Sequence, residues 1–135
     1  MATSTAQPYG ITLPITHGPS GYFNQSYSVG EQIKSNLNLL LRTKKGERRM
    51  NPEFGSGLWN VLFENNVENI GQIIESTIRK DISRWMNYVN VESVDVDRDS
   101  DSSQHRINVS VVYTVPIVGI TNEQTLQVDM NTTNV

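Results

Sequence analysis

The apolar positions of this chain fall into a helical rhythm in its middle and a strand rhythm towards its end. From Ser28 onwards, Ile33, Leu37, Leu40 and Leu41 recur at i, i+4, i+7 and i+8, a single stripe, while Lys34, Asn38 and Arg42 face elsewhere. Ser28-Val29-Gly30-Glu31 has the spacing of a capping box, so a helix is expected to begin there. Gly46 is its natural stop, and Arg42, Lys44 and Lys45 suit the negative end of its dipole. Leu58, Trp59, Val61, Leu62 and Phe63 predict a short second helix, apolar on more than one side, with Ser56 able to cap it. Ile70, Ile73, Ile74, Thr77, Ile78, Ile82 and Trp85 predict a third, from about Asn69 to Asn87. Its opposite face, with Glu75, Arg79, Lys80 and Arg84, is assigned to solvent.

The period then changes from 3.6 to two. Val89, Val91, Val94 and Val96 predict a strand whose parity slips between Val91 and Val94, so a bulge or late start is expected near Glu92. Ile107, Val109, Val111, Tyr113 and Val115 alternate cleanly up to Pro116, and Leu126, Val128 and Met130 predict a third strand. Three helices followed by three strands with turn-rich links imply an α+β fold with an antiparallel sheet. Residues 1–27 carry three of the five prolines and no sustained period, which predicts an extended N-terminal arm ahead of a single domain over residues 28–135. Tyr9, Ile11, Leu13, Ile15, Tyr22 and Phe23 are too apolar for a freely solvated tail, so the arm should lie on its own domain or on a neighbouring subunit.

Composition narrows the chemistry. A length of 135 residues suits one domain with a real core, and the absence of cysteine excludes disulfides, thiolate metal sites and thiol nucleophiles. A net charge of -3 disfavours nucleic acid as a partner. The longest apolar runs, such as Leu39–Leu41, are far too short for a membrane span, and no basic-then-apolar leader opens the sequence. The alternating Asp95, Asp97, Asp99 and Asp101 fail the calcium-loop template. Counting from Asp95 or Asp97, Ser100 or Ser102 stands at its glycine position, and Arg106 or Asn108 at its last glutamate. A solvated hairpin tip explains them better. His17 and His105 have no ligand spacing around them, and neither a metal nor a cofactor is expected.

The stretch from Leu39 to Glu64 is over-specified for a helix connector. Pro52 biases Asn51 towards extended backbone, so Glu47 to Asn51 should hold alternating side chains apart. Gly55 and Gly57 allow a tight turn or a close backbone approach. Glu47, Glu53 and Glu64 supply the carboxylates of a possible glycosidase, but Arg48 and Arg49 beside Glu47 oppose the raised acid pKa that such chemistry needs. Glu47 and Arg48 are then either an exposed pair of little consequence or the polar edge of a docking surface, in which Arg offers a planar donor fork and Glu an acceptor.

The run from Asn36 to Ser56, N-L-x-x-L-L-x-T-x-x-G-E-R-R-M-x-P-E-F-G-S, followed by the apolar Leu58–Phe63 segment and Glu64, resembles the small baseplate wedge subunit of contractile-tailed phages. That family includes the baseplate counterpart of the type VI secretion system and has carried a lysozyme-like label. The resemblance is most specific over residues 33–64 and looser over roughly residues 20–131, with arm pieces at Ile11–Ile15 and Gly21–Phe23. It implies a fold similar to the tail-sheath core and a structural, non-enzymatic role in a virion baseplate assembled in the host cytoplasm. A Glu–Pro–Arg motif would clamp the helical bundle of the large wedge subunits, and the sheet would accept strands from the tail sheath. The implied partner-binding positions are Glu47, Arg48, Pro52, Glu53, Phe54 and Gly55, with Arg49 and Arg42 as other arginines able to complete the motif. Those for strand addition are Gln124, Leu126, Val128 and Met130. Implied partners are other wedge subunits, the sheath, and tube or hub proteins, in multiple copies of a sixfold baseplate, with neither nucleic acid nor membrane. The alternative is a baseplate glycosidase that degrades cell wall.

Overall fold

The structure, a computed structural model, describes residues 7–19, 21–63, 69–98 and 106–129. A two-stranded ribbon, β1 (Gly10–Ile11) and β2 (Gln25–Ser26), comes first. Helices α1 (Val29–Arg42), α2 (Leu58–Phe63) and α3 (Ile70–Trp85) follow, then strands β3 (Asn90–Arg98), β4 (Arg106–Val115) and β5 (Ile120–Asp129). The fold is mixed α and β, with three helices and a three-stranded antiparallel sheet among the described residues, β4 being the central strand. The reading of three helices followed by a sheet missed the ribbon, because its strands are too short to show a period. Among the described residues no helix is long and apolar enough to cross a membrane.

The helical stripes and the alternating strand pack into one core. Leu37, Leu40 and Leu41 of α1, Ile74, Ile78 and Ile82 of α3, and Val109, Val111, Tyr113 and Val115 of β4 are all buried. Leu58 and Leu62 bring α2 into the same cluster. α3 packs on β3 and α2, while α1 reaches β5 and α3. Burial raises the Tyr113 phenol above its ordinary 10.0. The other sheet face is polar, with the hydroxyl pairs Ser110–Thr125 at 3.3 Å and Thr114–Thr121 at 3.2 Å running across it.

Several local expectations are corrected. Ser28 is the N-cap of α1, but its side chain makes no capping hydrogen bond; Ser28 and Glu31 are exposed, so water can satisfy the first N–H groups. α1 ends at Arg42, short of Gly46, because Thr43 turns extended and both its N–H and its Oγ1 donate to the Leu39 carbonyl, at 3.1 and 2.6 Å. Pairing of β5 begins at Ile120, well before Leu126, since the Val115–Gly119 turn closes through Gly119 N–H to Val115 O at 2.8 Å. The acidic tip with Asp99, Asp101 and His105 lies outside the described residues.

The bulge does sit at Glu92, between Val91 and Ser93. Arg79, assigned to solvent above, serves it: its guanidinium donates to the carbonyls of Val91 and Glu92 while Glu75 holds it at 2.9 Å. A bulge takes carbonyls out of the ladder, and a planar multi-donor group satisfies two at once. Arg79→Met keeps the stem and removes the donors, and we expect it to cost about 1–2 kcal/mol in urea unfolding. An unchanged midpoint would mean that water serves those carbonyls equally well.

Candidate functional site

Thr43 to Gly57 forms a closed loop between α1 and α2. Its two ends are tied by Ser56 N–H to Thr43 O at 2.8 Å, and Lys44 and Ser56 pair as a parallel bridge. Higher up, Gly46 N–H donates to Pro52 O at 2.7 Å and Phe54 N–H to Asn51 O at 3.1 Å. The Glu47 carboxylate accepts the Lys44 N–H at 3.0 Å. Gly55 has φ +129°, and a Cβ there would stand 2.6 Å from the Thr43 carbonyl oxygen. Because Gly46–Pro52 closes the loop, residues 47–51 bend at Arg49 and Met50 instead of running extended.

A buried carboxylate holds this loop to the body. Asp81 of α3 is 2% exposed. One oxygen accepts the Ser56 hydroxyl at 3.0 Å and the Gly57 N–H at 2.9 Å, while the other meets Lys45 Nζ at 3.0 Å. Ser56 in turn accepts the Leu58 N–H at 3.1 Å, which caps α2. Reasoning from sequence missed Asp81. Its signal is visible: it lies three residues after Ile78 and four after Thr77, inside the apolar stripe, where a carboxylate needs partners.

On the outer side, cations lie on aromatic rings. The Arg48 guanidinium sits 4.2 Å from the Phe54 ring centroid, Phe54 meets Trp85 edge-on at 5.1 Å, and Arg84 sits 5.2 Å from Trp85. Arg84 also pairs with Glu53, so this α3 face holds the loop. Lys44 lies 5.1 Å from Trp59, whose indole N–H donates to the Leu41 carbonyl. Stacking uses the face of a guanidinium and leaves its in-plane N–H groups able to donate. From Arg42 to Glu53 the sequence carries Arg42, Lys44, Lys45, Arg48 and Arg49 against Glu47 and Glu53, a basic edge on an acidic chain.

The sequence-derived positions therefore separate. Glu47, Arg48, Pro52 and Glu53 are exposed, Phe54 is half-buried, and Gly55 is buried as a backbone clamp. Among the described residues no ion pair joins Glu47 to Arg48. Of the carboxylates considered for hydrolysis, Glu47 is turned to a backbone N–H and Glu53 to Arg84, and Glu64 lies outside the described residues. Gln124 is buried, with its amide donating to the Thr125 carbonyl at 3.3 Å. Leu126 and Val128 stand in register with Val109 and Ile107 on β5, which has β4 as its one neighbour among the described strands; Met130 lies outside the described residues.

Comparison with known proteins completes the picture. No curated protein matches the sequence. Among solved structures, a protein from Geobacter sulfurreducens that carries a tail-lysozyme label is similar at 22% identity and a TM-score of 0.67, over 76% of this chain and 91% of that one. A chain of the anti-feeding prophage baseplate is similar at 19% identity and 0.59, over 92% and 86%. A chain of the type VI secretion system baseplate complex is similar at 12% identity and 0.55, over 73% and 90%. At these identities the likenesses speak for the fold. The family model of baseplate wedge protein gp25 matches residues 28–118, from the N-cap of α1 into the β4–β5 turn, and the chain belongs to that family.

Proposed function

We propose that this protein is a structural, non-catalytic wedge subunit of a contractile-tail baseplate, docking on the other wedge subunits through the loop from Lys44 to Gly55. The observation that carries this reading is the loop itself, closed by its own hydrogen bonds, anchored on Asp81 and displaying a ring-stacked Arg48. A surface fixed in advance loses little freedom on binding, and a guanidinium already stacked suits a carboxylate or the carbonyls at a helix end of a partner bundle. Pro52 and the Glu53–Arg84 pair stiffen the same edge.

The second part of the reading is strand addition at β5, which would template the first sheath ring. An outer edge strand offers unpaired N–H and C=O groups. Among the described strands β5 is such an edge, and it carries no proline, whereas the bulged edge of β3 has two carbonyls occupied by Arg79. Similarity in fold to a sheath core, sixfold copies and contacts with tube or hub proteins belong to this proposal, as do residence in the tail baseplate and assembly in the host cytoplasm.

Arg48→Ala tests the docking part. We expect an unchanged melting temperature and about tenfold to a hundredfold weaker co-assembly with the wedge subunits, the effect of losing charge-assisted bonds. Wild-type assembly by the variant would remove Arg48 from the interface. Incubation with peptidoglycan separates the structural reading from a glycosidase: turnover present in the wild type and lost in both Glu47→Gln and Glu53→Gln would overturn it.

A further inference from the structure

The ribbon ahead of α1 is built inside out. Along β1 and its flanks Tyr9 and Ile11 are exposed while Gly10 and Thr12 turn inwards; along β2, Gln25 and Tyr27 are exposed while Asn24 and Ser26 turn inwards. The inner, small and polar face is the one bonded to α1. Ser26 Oγ donates to Gln32 Oε1 at 2.5 Å and the Leu13 N–H to Ser35 Oγ at 3.2 Å, while within α1 Gln32 Nε2 donates to Asn36 Oδ1 at 2.9 Å. Gly10 lies so close that a Cβ would stand 2.6 Å from the Gln32 amide. A slip of one residue would turn the apolar side chains inwards instead. The ribbon does the reverse, so its apolar face is left for something outside the chain.

That face is without charge. Tyr9, Ile11 and Tyr27 on it, and Ile15, Tyr22 and Phe23 along the segment that joins its two strands, are all about half or more exposed, Tyr22 at 85%. The surface continues across a groove of about 330 Å³ that Tyr9 shares with Tyr88 and with Ile117 and Val118 of the β4–β5 turn. No Asp, Glu, Lys or Arg occurs before Glu31 in a chain that carries 25 of them, 11 basic and 14 acidic. Soluble proteins seldom leave a contiguous apolar patch uncovered unless it is an interaction surface.

We propose that the outer face of this ribbon is a second docking surface, occupied by an uncharged, apolar patch on a different subunit of the same particle. Lack of charge matches it to a neutral protein surface and sets it apart from the basic loop edge, which suits acidic or carbonyl groups. The proposal rests on the baseplate reading above, in which the chain is one subunit among others.

Hydroxyl-radical footprinting of the isolated chain and of intact tail particles containing it tests the inference, with Met50 at the loop tip, 99% exposed, as an internal reporter of loop docking. We expect Tyr22, Phe23 and Tyr27 to be several-fold less oxidised in the particle, and Met50 to be protected too. Protection of Met50 with an equally reactive ribbon would overturn this inference and leave loop docking standing; loss of both protections would overturn the baseplate reading itself. In parallel, Ile11→Thr/Tyr22→Ser spares every hydrogen bond that holds the ribbon to α1. It should leave the melting temperature unchanged and lower incorporation into particles by about tenfold or more, as removal of interface anchors does. Normal incorporation would argue against the proposal, as would a dimer of the isolated chain that this variant dissolves, since the occupant would then be a second copy.

Discussion

Asp81→Ala is expected to lower the stability of the isolated protein by about 2–4 kcal/mol, the cost of leaving buried donors without an acceptor. Three donors converge on this carboxylate: the Ser56 hydroxyl, the Gly57 N–H and the Lys45 ammonium. Lys45 is about a third exposed, so water recovers much of that contact, and most of the loss belongs to Ser56 and Gly57. Asp81→Asn should be intermediate, because an amide oxygen can still face Ser56 and Gly57 while its NH2 opposes Lys45. Urea unfolding of the three proteins measures the series. Equal midpoints for all three would show that Asp81 does not anchor the loop. The functional counterpart is weaker co-assembly, since a loop detached from α3 no longer presents Arg48 at a fixed place.

Gly55→Ala should act through the backbone and be at least as damaging to the loop. At φ +129° a Cβ carries strain of roughly 1–3 kcal/mol. Here it would also press on backbone atoms, with Thr43 O at 2.6 Å and Lys44 C at 2.9 Å, which cannot swing aside as a side chain could. Relief requires opening the contact between Thr43 and Ser56, and with it the start of α2. Thermal unfolding and co-assembly should therefore fall together, whereas Arg48→Ala moves co-assembly alone. Ala at Gly71, where a Cβ meets nothing, is the matched control and should be harmless or slightly stabilising in its helix. A Gly55→Ala protein as stable as wild type would show that the loop has room to reshape.

Much of the fold was legible because burial imposes a period. Ile33, Leu37, Leu40 and Leu41 mark α1, the isoleucines from Ile70 to Ile82 mark α3, and Ile107 to Val115 mark the central strand. Even the bulge at Glu92 was visible, since a bulge must break strand parity. The loop was legible in part: Pro52, Gly55 and Gly57 signalled an unusual backbone, and the family pattern ran across it. What they could not signal was the pairing. Glu47 and Arg48 are neighbours in sequence yet go to different partners, one to the Lys44 N–H and the other to the Phe54 ring. Arg79 and Arg84 had the spacing of a solvent face, and the bulge and Glu53 claimed them.

By itself, then, the sequence determined the helices, the alternating strands, the absence of cysteine chemistry and the special backbone of the loop, because these depend on local geometry and on the cost of exposing apolar side chains. Tertiary structure alone decided that Asp81, distant in sequence, holds the loop, and that the ribbon turns its polar face inwards. Hydrogen bonds between distant residues leave no period to read, and which of two strand faces is buried depends on what waits across the gap, here Gln32 and Ser35 of α1.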